Sequence, residues 1–178
     1  MRVVAGELGG RRLQSPPRRS AAVRPTADRV REALFSILGD VEGTAVLDLY
    51  CGTGALGIEA VSRGAAGAVL VDTHTALAYR NVSELGLGDR CEVVRSDARA
   101  YLRRARRAFD LIFCDPPYRL ADRLEGELDS LIGSRLVPGG RLILEGSARR
   151  PLRLGLPLEL ERRYGDTLIR IHSGGGGE

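Results

Sequence analysis

The sequence predicts a doubly wound α/β fold around a mostly parallel seven-stranded sheet, with a small N-terminal hairpin extension. Three observations predict it. From residue 45 onward, short apolar runs alternate with amphipathic stretches. Those runs are apolar at nearly every position, as strands covered on both faces require. The last two runs lie too close together for a helical crossover, so they pair antiparallel.

Taken in order, Arg2-Val3-Val4-Ala5 and Arg11-Arg12-Leu13-Gln14 flank a turn at Gly9-Gly10 and read as a hairpin. Ser15-Pro16-Pro17-Arg18-Arg19-Ser20 continues neither element and reads as a linker. Thr26 is an N-cap for a helix whose stripe is Val30, Ala33, Leu34, Ile37 and Leu38. Ala45–Tyr50 is the first strand of the alternating region. Strands follow at 68–71, 91–94 and 109–114, with helices at about 55–63, 75–85, through Tyr101 and Leu102, and at about 120–133. Pro138-Gly139-Gly140 turns into a fifth strand at 141–145. Runs near 157–163 and 167–172, parted by Gly165-Asp166, complete the sheet. Crossovers of this kind are right-handed, and a ligand is expected beyond the carboxyl ends of the strands.

The chain has 178 residues, 43% of them hydrophobic, enough for one domain with a substantial core. No apolar run reaches membrane-spanning length, and the opening residues lack a secretory core, so a cytoplasmic location is expected. Cys51, Cys91 and Cys114 form no close pair, which argues against disulfides and structural zinc. No metal is expected. All 27 basic side chains are arginine. Residues 1–31 carry eight of them against Glu7 and Asp28, so this segment is +6 and the remainder −2 of the net +4. A basic segment on a nearly neutral body points to a polyanion, with Arg2, Arg11, Arg12, Arg18 and Arg19 as candidate contacts.

The first strand runs into Asp48-Leu49-Tyr50-Cys51-Gly52-Thr53-Gly54-Ala55-Leu56-Gly57. Glycines 52, 54 and 57 let a ligand approach the backbone where strand becomes helix. Such a turn alone also serves dinucleotides and phosphates. Asp48 would repel a pyrophosphate and suits a cationic ligand, such as the amino-acid end of S-adenosylmethionine. Asp72 ends the second strand, where one carboxylate can accept from both hydroxyls of a ribose. Asp97, after the third strand, suits an adenine amine, a helix N-cap, or both.

Asp115-Pro116-Pro117-Tyr118 follows the fourth strand and is the most specific motif. The nitrogen of a base amine is a poor nucleophile because its lone pair is delocalised into the ring. Asp115 and the Pro116 carbonyl can accept its two N–H bonds and aim the lone pair at a methyl donor. Two prolines stiffen those acceptors, and Tyr118 offers a stacking face. Cys51 and Cys114 read as small core residues.

These motifs, in this order, resemble the RsmD family of bacterial 16S ribosomal RNA guanine-N2 methyltransferases. Arg2–Gly6 with Gly10–Leu13, Arg24-Pro25-Thr26-Ala27-Asp28-Arg29-Val30-Arg31-Glu32-Ala33-Leu34-Phe35, Gly54–Ala60, Asp115–Tyr118 and Tyr164-Gly165-Asp166-Thr167 all match. The helix beginning near Thr26 narrows the family, since the other two site motifs are shared with other amine methyltransferases. The resemblance implies a Rossmann-like class I methyltransferase domain at 25–173, a basic hairpin and linker at 1–24 and a flexible tail at 174–178. It implies S-adenosylmethionine as cofactor, held by Thr26, Asp48, Tyr50, Gly52, Gly54, Asp72 and Asp97. It implies Asp115, Pro116 and Tyr118 as catalytic residues. The implied partner is 16S ribosomal RNA or an assembling small subunit, and a monomer is expected. Between Asp72 and Asn81 the chain is about one helical turn shorter than the family pattern, and Thr73-His74 replaces an expected second polar or acidic position.

Two other functions share these residues. A DNA adenine-N6 methyltransferase can carry the same Asp-Pro-Pro-Tyr loop, although little chain is left for a DNA-recognition domain. A non-catalytic RNA-binding module on the same scaffold is expected to lose Asp48, the glycines or Asp115, and all are present.

Overall fold

The computed structural model describes residues 1–16, 28–117, 121–149 and 151–175, with side chains 121–126 outside the description. Thr26, Arg18, Arg19 and Tyr118 therefore lie outside the described residues. The elements are α1 (Asp28–Leu38), β1 (Ala45–Leu49), α2 (Ala55–Ser62), β2 (Gly67–Asp72), α3 (Ala76–Glu84), β3 (Cys91–Arg95), α4 (Ala98–Arg104), β4 (Phe109–Cys114), α5 (Ala121–Gly133), β5 (Leu136–Ser147), β6 (Leu158–Tyr164) and β7 (Thr167–Ser173).

The seven strands form one sheet in the order β3-β2-β1-β4-β5-β7-β6. β1 pairs in parallel with β2 and β4, and β4 with β5. β7 runs antiparallel to β5 and β6, through the two-residue turn at Gly165-Asp166. The sheet separates two cores. Phe35 of α1, Ile58 and Val61 of α2, and Ala78 and Val82 of α3 pack with Val46, Leu70 and Phe113 on one face. Ala98 and Leu102 of α4, with Leu128 and Ile132 of α5, pack with Leu47, Val69 and Ile112 on the other. Alternate residues of each strand thus feed opposite cores, which is why the central strands read as unbroken apolar runs. No described helix is long and apolar enough to cross a membrane.

Of three expectations, the first is met and two are corrected. The predicted hairpin at residues 2–14 is present: across its two arms the Val3 amide donates to Arg11 at 2.9 Å, Gly10 to Val3 at 2.9 Å and Leu13 to Met1 at 3.1 Å, with one antiparallel bridge, Arg2 with Arg12. Its chain is held by packing: Val3 and Leu13 are buried in the core beneath α1 and α2. Glu59 of α2 is fully buried and accepts from the Val4 and Ala5 amides at 2.7 and 3.0 Å, while Arg31 donates to the Arg2 carbonyl. Second, Pro138-Gly139-Gly140 does not precede β5 but lies within it, at a register shift between Phe109 and Leu111 of β4. A Cβ on Gly140 would sit 2.9 Å from the Val137 carbonyl oxygen, so only glycine fits this bulge. Third, Gly174 is not part of a loose tail. It is buried, and its amide donates to Gly140 at 2.7 Å.

Candidate active site at the carboxyl edge of the sheet

Every acid singled out from the sequence stands at the carboxyl end of a strand. Parallel pairing brings them together, because Leu49 is opposite both Val71 and Cys114 in the register. The chains leaving β1, β2 and β4 therefore emerge side by side. Tyr50 opens the turn after β1 with φ 59°, a left-handed conformation rare for a residue with a β-carbon. Gly54 closes it at φ 78° and starts α2. A Cβ on Gly54 would lie 2.9 Å from Leu70 Cδ1, so the turn can approach β2 only without a side chain there.

Asp48 is buried beneath this turn and accepts from the Gly57 amide at 3.0 Å. Burial, reinforced by the charge of Asp72, pushes its carboxyl up to about 7 against the Gly57 hydrogen bond. Gly57 was expected to admit a ligand. It instead seats α2 on β2, since its Cβ would meet Leu70 Cδ2 at 2.2 Å. Asp72 spans two turns: one oxygen accepts from the Gly52 amide at 2.9 Å and the other from the His74 amide at 2.9 Å. Its carboxylate is thereby fixed facing the site. Asp97 caps α4, accepting from the Arg99 and Ala100 amides through Oδ1 alone.

Asp115 follows β4, with Pro116 buried beside it. Burial raises its carboxyl well above the usual range, with further contributions from Glu145 and Asp48. Cys114 pairs with Leu144, so Asp115 and Glu145 leave adjacent strands on the same face. Burial also raises the Cys51 and Cys114 thiols, which keeps both protonated and inert. Among the described residues no group of side chains could hold a metal ion.

Three residues at or behind the site were not foreseen. Glu145 adds a carboxylate next to Asp115. Asn81, buried on α3, donates to the Thr53 carbonyl at 2.9 Å and exchanges bonds with Gln14, so it ties the glycine turn to the N-terminal segment. Glu59 anchors that segment to α2. Signals for Glu59 and Asn81 exist in the sequence, since each is a polar residue on an otherwise apolar helix face. Of the arginines expected to meet RNA, those among the described residues fall elsewhere. Arg11 reaches the Glu84 carbonyl at 3.4 Å, at the end of α3 that leads into β3. That end faces the amino edge of the sheet, opposite the acids. Arg2 and Arg12 are exposed on the same segment.

This strand order, with β7 antiparallel and a glycine turn after β1, defines a Rossmann-like class I methyltransferase fold. The sequence family described as "Conserved hypothetical protein 95" matches residues 1–172, and the chain belongs to that family, the RsmD family. It is similar to "Ribosomal RNA small subunit methyltransferase D" of Escherichia coli K12, 41% identical over 123 residues. That alignment covers 67% of this chain and 61% of the relative, less than two thirds of its length. The protein of the same name from Haemophilus influenzae is 30% identical over 85% of this chain and 81% of the relative. Among solved structures, "Putative methyltransferase yhhF" from Escherichia coli superposes with a TM-score of 0.84 at 31% identity, covering 99% of each chain.

Proposed function

We propose that the protein transfers the methyl group of S-adenosylmethionine to the exocyclic N2 amine of a guanine in 16S ribosomal RNA. The observation that carries this reading is the placement of Asp115 and Pro116 beside the glycine turn of β1. The names of the relatives from Escherichia coli and Haemophilus influenzae support the ribosomal RNA substrate, and the family resemblance supports guanine N2. Asp48, Asp72 and Asp115 come from one chain, so one copy can complete the site and the active unit is a monomer; the ribosomal RNA named for the relatives supports a cytoplasmic location.

The residues fit the cofactor. The glycine turn packs on β2 beside the strand-end acids, Asp72 is pre-aligned for a ribose, and among the described residues no cation pairs with the buried Asp48. Tyr50, Gly52 and Asp97 stand at the same edge, with Thr26 assigned there by resemblance. The cofactor, when bound, supplies an activated methyl group on a sulfonium. The protein's task is placement, which can contribute roughly 7–11 kcal/mol. Asp115 and the Pro116 carbonyl accept the two amine N–H bonds and orient the lone pair. The target base must be unpaired or flipped to reach them, and Tyr118 stacks on it. As the nitrogen gains positive charge, the Asp115 carboxylate stabilises it and then takes the proton that leaves. A carboxyl with a raised pKa suits that last step. Arg2, Arg11 and Arg12 supply a contact with RNA away from the chemistry, and Arg18 and Arg19 are assigned to the same contact from the sequence alone.

Tritium transfer from labelled S-adenosylmethionine to small subunits from a strain lacking this protein, naked RNA and DNA tests the reading, followed by nucleoside mass spectrometry. N2-methylguanosine is expected, and Asp115→Ala should abolish it while leaving cofactor affinity nearly unchanged. N6-methyladenosine alone would overturn the base assignment. Labelled DNA alone would favour the DNA enzyme, and no transfer at all a non-catalytic RNA-binding module.

A further inference from the structure

On the α3 side of the sheet, a groove of about 530 Å³ lies between α3 and the edge strand β3. Its walls include His74, Thr75, Tyr79, Val93 and Arg95, and no carboxylate lines it. Tyr79 is 67% exposed; among the described residues only Leu158 is another large exposed hydrophobic. Val93 packs toward the core beneath α3, and the two-residue period of a strand puts Arg95 on that same face. An aromatic face, an apolar floor and a guanidinium thus border one opening of a size that suits a nucleotide.

Asp48, Gly52, Gly54, Asp72 and Asp97 do not line the groove, which adjoins them through Thr73 and Arg95. It is also locked to them. The Asp72 carboxylate that accepts from Gly52 also accepts from the His74 amide at the groove's rim. From the end of β4, where Asp115 stands, the groove is three strand positions away along the order β3-β2-β1-β4. At about 4.8 Å per strand this is roughly 14 Å, within reach of the nucleotides flanking a flipped base. Single-stranded RNA is held in this way, with bases stacked on exposed aromatic rings and phosphates on arginine.

We propose that this groove binds one unpaired nucleotide of the RNA substrate, its base stacked on Tyr79 and its phosphate on Arg95. The proposal rests on the reading of the protein as an RNA methyltransferase. It assigns RNA contact to the carboxyl-edge side of α3, distinct from the arginines of the N-terminal segment.

The test is fluorescence anisotropy of a labelled, mixed-sequence single-stranded RNA 12-mer, with calorimetry of S-adenosylmethionine on the same proteins. Tyr79→Ala should weaken RNA binding by about five- to 150-fold, whereas Tyr79→Phe should retain it because the ring does the stacking. Arg95→Gln should reduce the salt dependence by about 0.7 in the log–log slope, the loss of one single-strand phosphate contact. Cofactor affinity should be the same in all three variants. If wild type transfers methyl groups to RNA but Tyr79→Ala and Arg95→Gln bind the 12-mer as wild type does, the groove is overturned and the enzymatic reading stands. Loss of cofactor affinity with RNA binding intact would make the groove part of the cofactor's site. A wild-type protein that neither binds RNA nor transfers methyl groups to it would overturn both.

Discussion

Replacing Asp48 with asparagine should convert a pH-sensitive cofactor site into an insensitive one. The buried carboxyl holds its proton to about pH 7, against 3.8 for an ordinary aspartate. At about 1.4 kcal/mol per pKa unit, this difference is worth about 4 kcal/mol. Its sign follows from proton counting. Between pH 4 and 7 the folded protein binds more protons at this site than the unfolded chain, so stability falls as pH rises. Above pH 7 the whole penalty of an ionised, buried carboxylate is present. Asp48→Asn keeps an acceptor for the Gly57 amide and removes the charge. The variant should match wild type near pH 4 and exceed it by up to about 4 kcal/mol at pH 8, measured by urea unfolding. Asp48 also raises the Asp115 carboxyl, so the difference between the two proteins reports Asp48 together with its effect on Asp115. A cation placed beside Asp48 favours the ionised form. S-adenosylmethionine binding below pH 7 should therefore release a proton, and affinity should rise toward pH 7, by up to about tenfold per pH unit, before levelling. Calorimetry in two buffers of different ionisation heat counts that proton. The asparagine variant should bind more weakly, with a flat pH profile. A flat wild-type profile without proton release, or an unchanged slope in the variant, would refute the assignment of Asp48 to the cationic end of the cofactor.

Two further substitutions probe the scaffold behind the site. Glu59→Ala leaves Arg31 buried without its 3.4 Å partner and frees the Val4 and Ala5 amides, so a loss of about 3–5 kcal/mol is expected in urea unfolding. Rapid hydrogen exchange at those two amides should accompany it; a loss below about 1 kcal/mol would mean the N-terminal segment is held by other contacts. Gly57→Ala adds a methyl group 2.2 Å from Leu70 Cδ2. It should cost about 1–3 kcal/mol despite alanine's better helix propensity and raise the cofactor's dissociation constant by disturbing the amide that holds Asp48; a stabilised variant would contradict the packing role.

What the sequence disclosed, and what it hid, follows from burial. The central strands were legible because both faces of the sheet are covered, so Val46, Leu47 and Leu49 around the one acid Asp48, and Leu111 to Cys114, show no polar face to confuse the pattern. The strand-end acids were legible because nothing structural demands a carboxylate at the edge of a buried strand. The N-terminal hairpin was legible from its turn at Gly9-Gly10, but its docking was not, because arginines dominate its composition while Val3 and Leu13, with Met1 and Leu8 against them, do the packing. So few apolar residues do not mark a docked segment. Pro138-Gly139-Gly140 misled because turn residues serve a bulge equally well, and only the register with β4 distinguishes the two. Glu59 and Gly57 carry meaning through tertiary partners, Arg31 and Leu70, that no local pattern names.

The carboxyl edge also explains why the N-terminal segment is built into the fold. Burial and the charge of Asp72 raise the Asp48 carboxyl, and burial, Glu145 and Asp48 raise that of Asp115, so ionising these two buried groups opposes folding until a cation arrives. A glycine turn under such strain needs a support that does not itself add charge. Asn81 provides it: a neutral amide, buried, donating to Thr53 inside the turn and to Gln14 of the opening segment. Gln14 in turn donates its amide to Asn81 at 2.7 Å, and the same segment is pinned by Glu59 at Val4 and Ala5. The chain from Glu59 through residues 4–14 and Asn81 to Thr53 is continuous. The segment that composition marks as a polyanion contact is therefore also the brace of the cofactor turn, and weakening it at Glu59 bears on cofactor affinity as well as on stability.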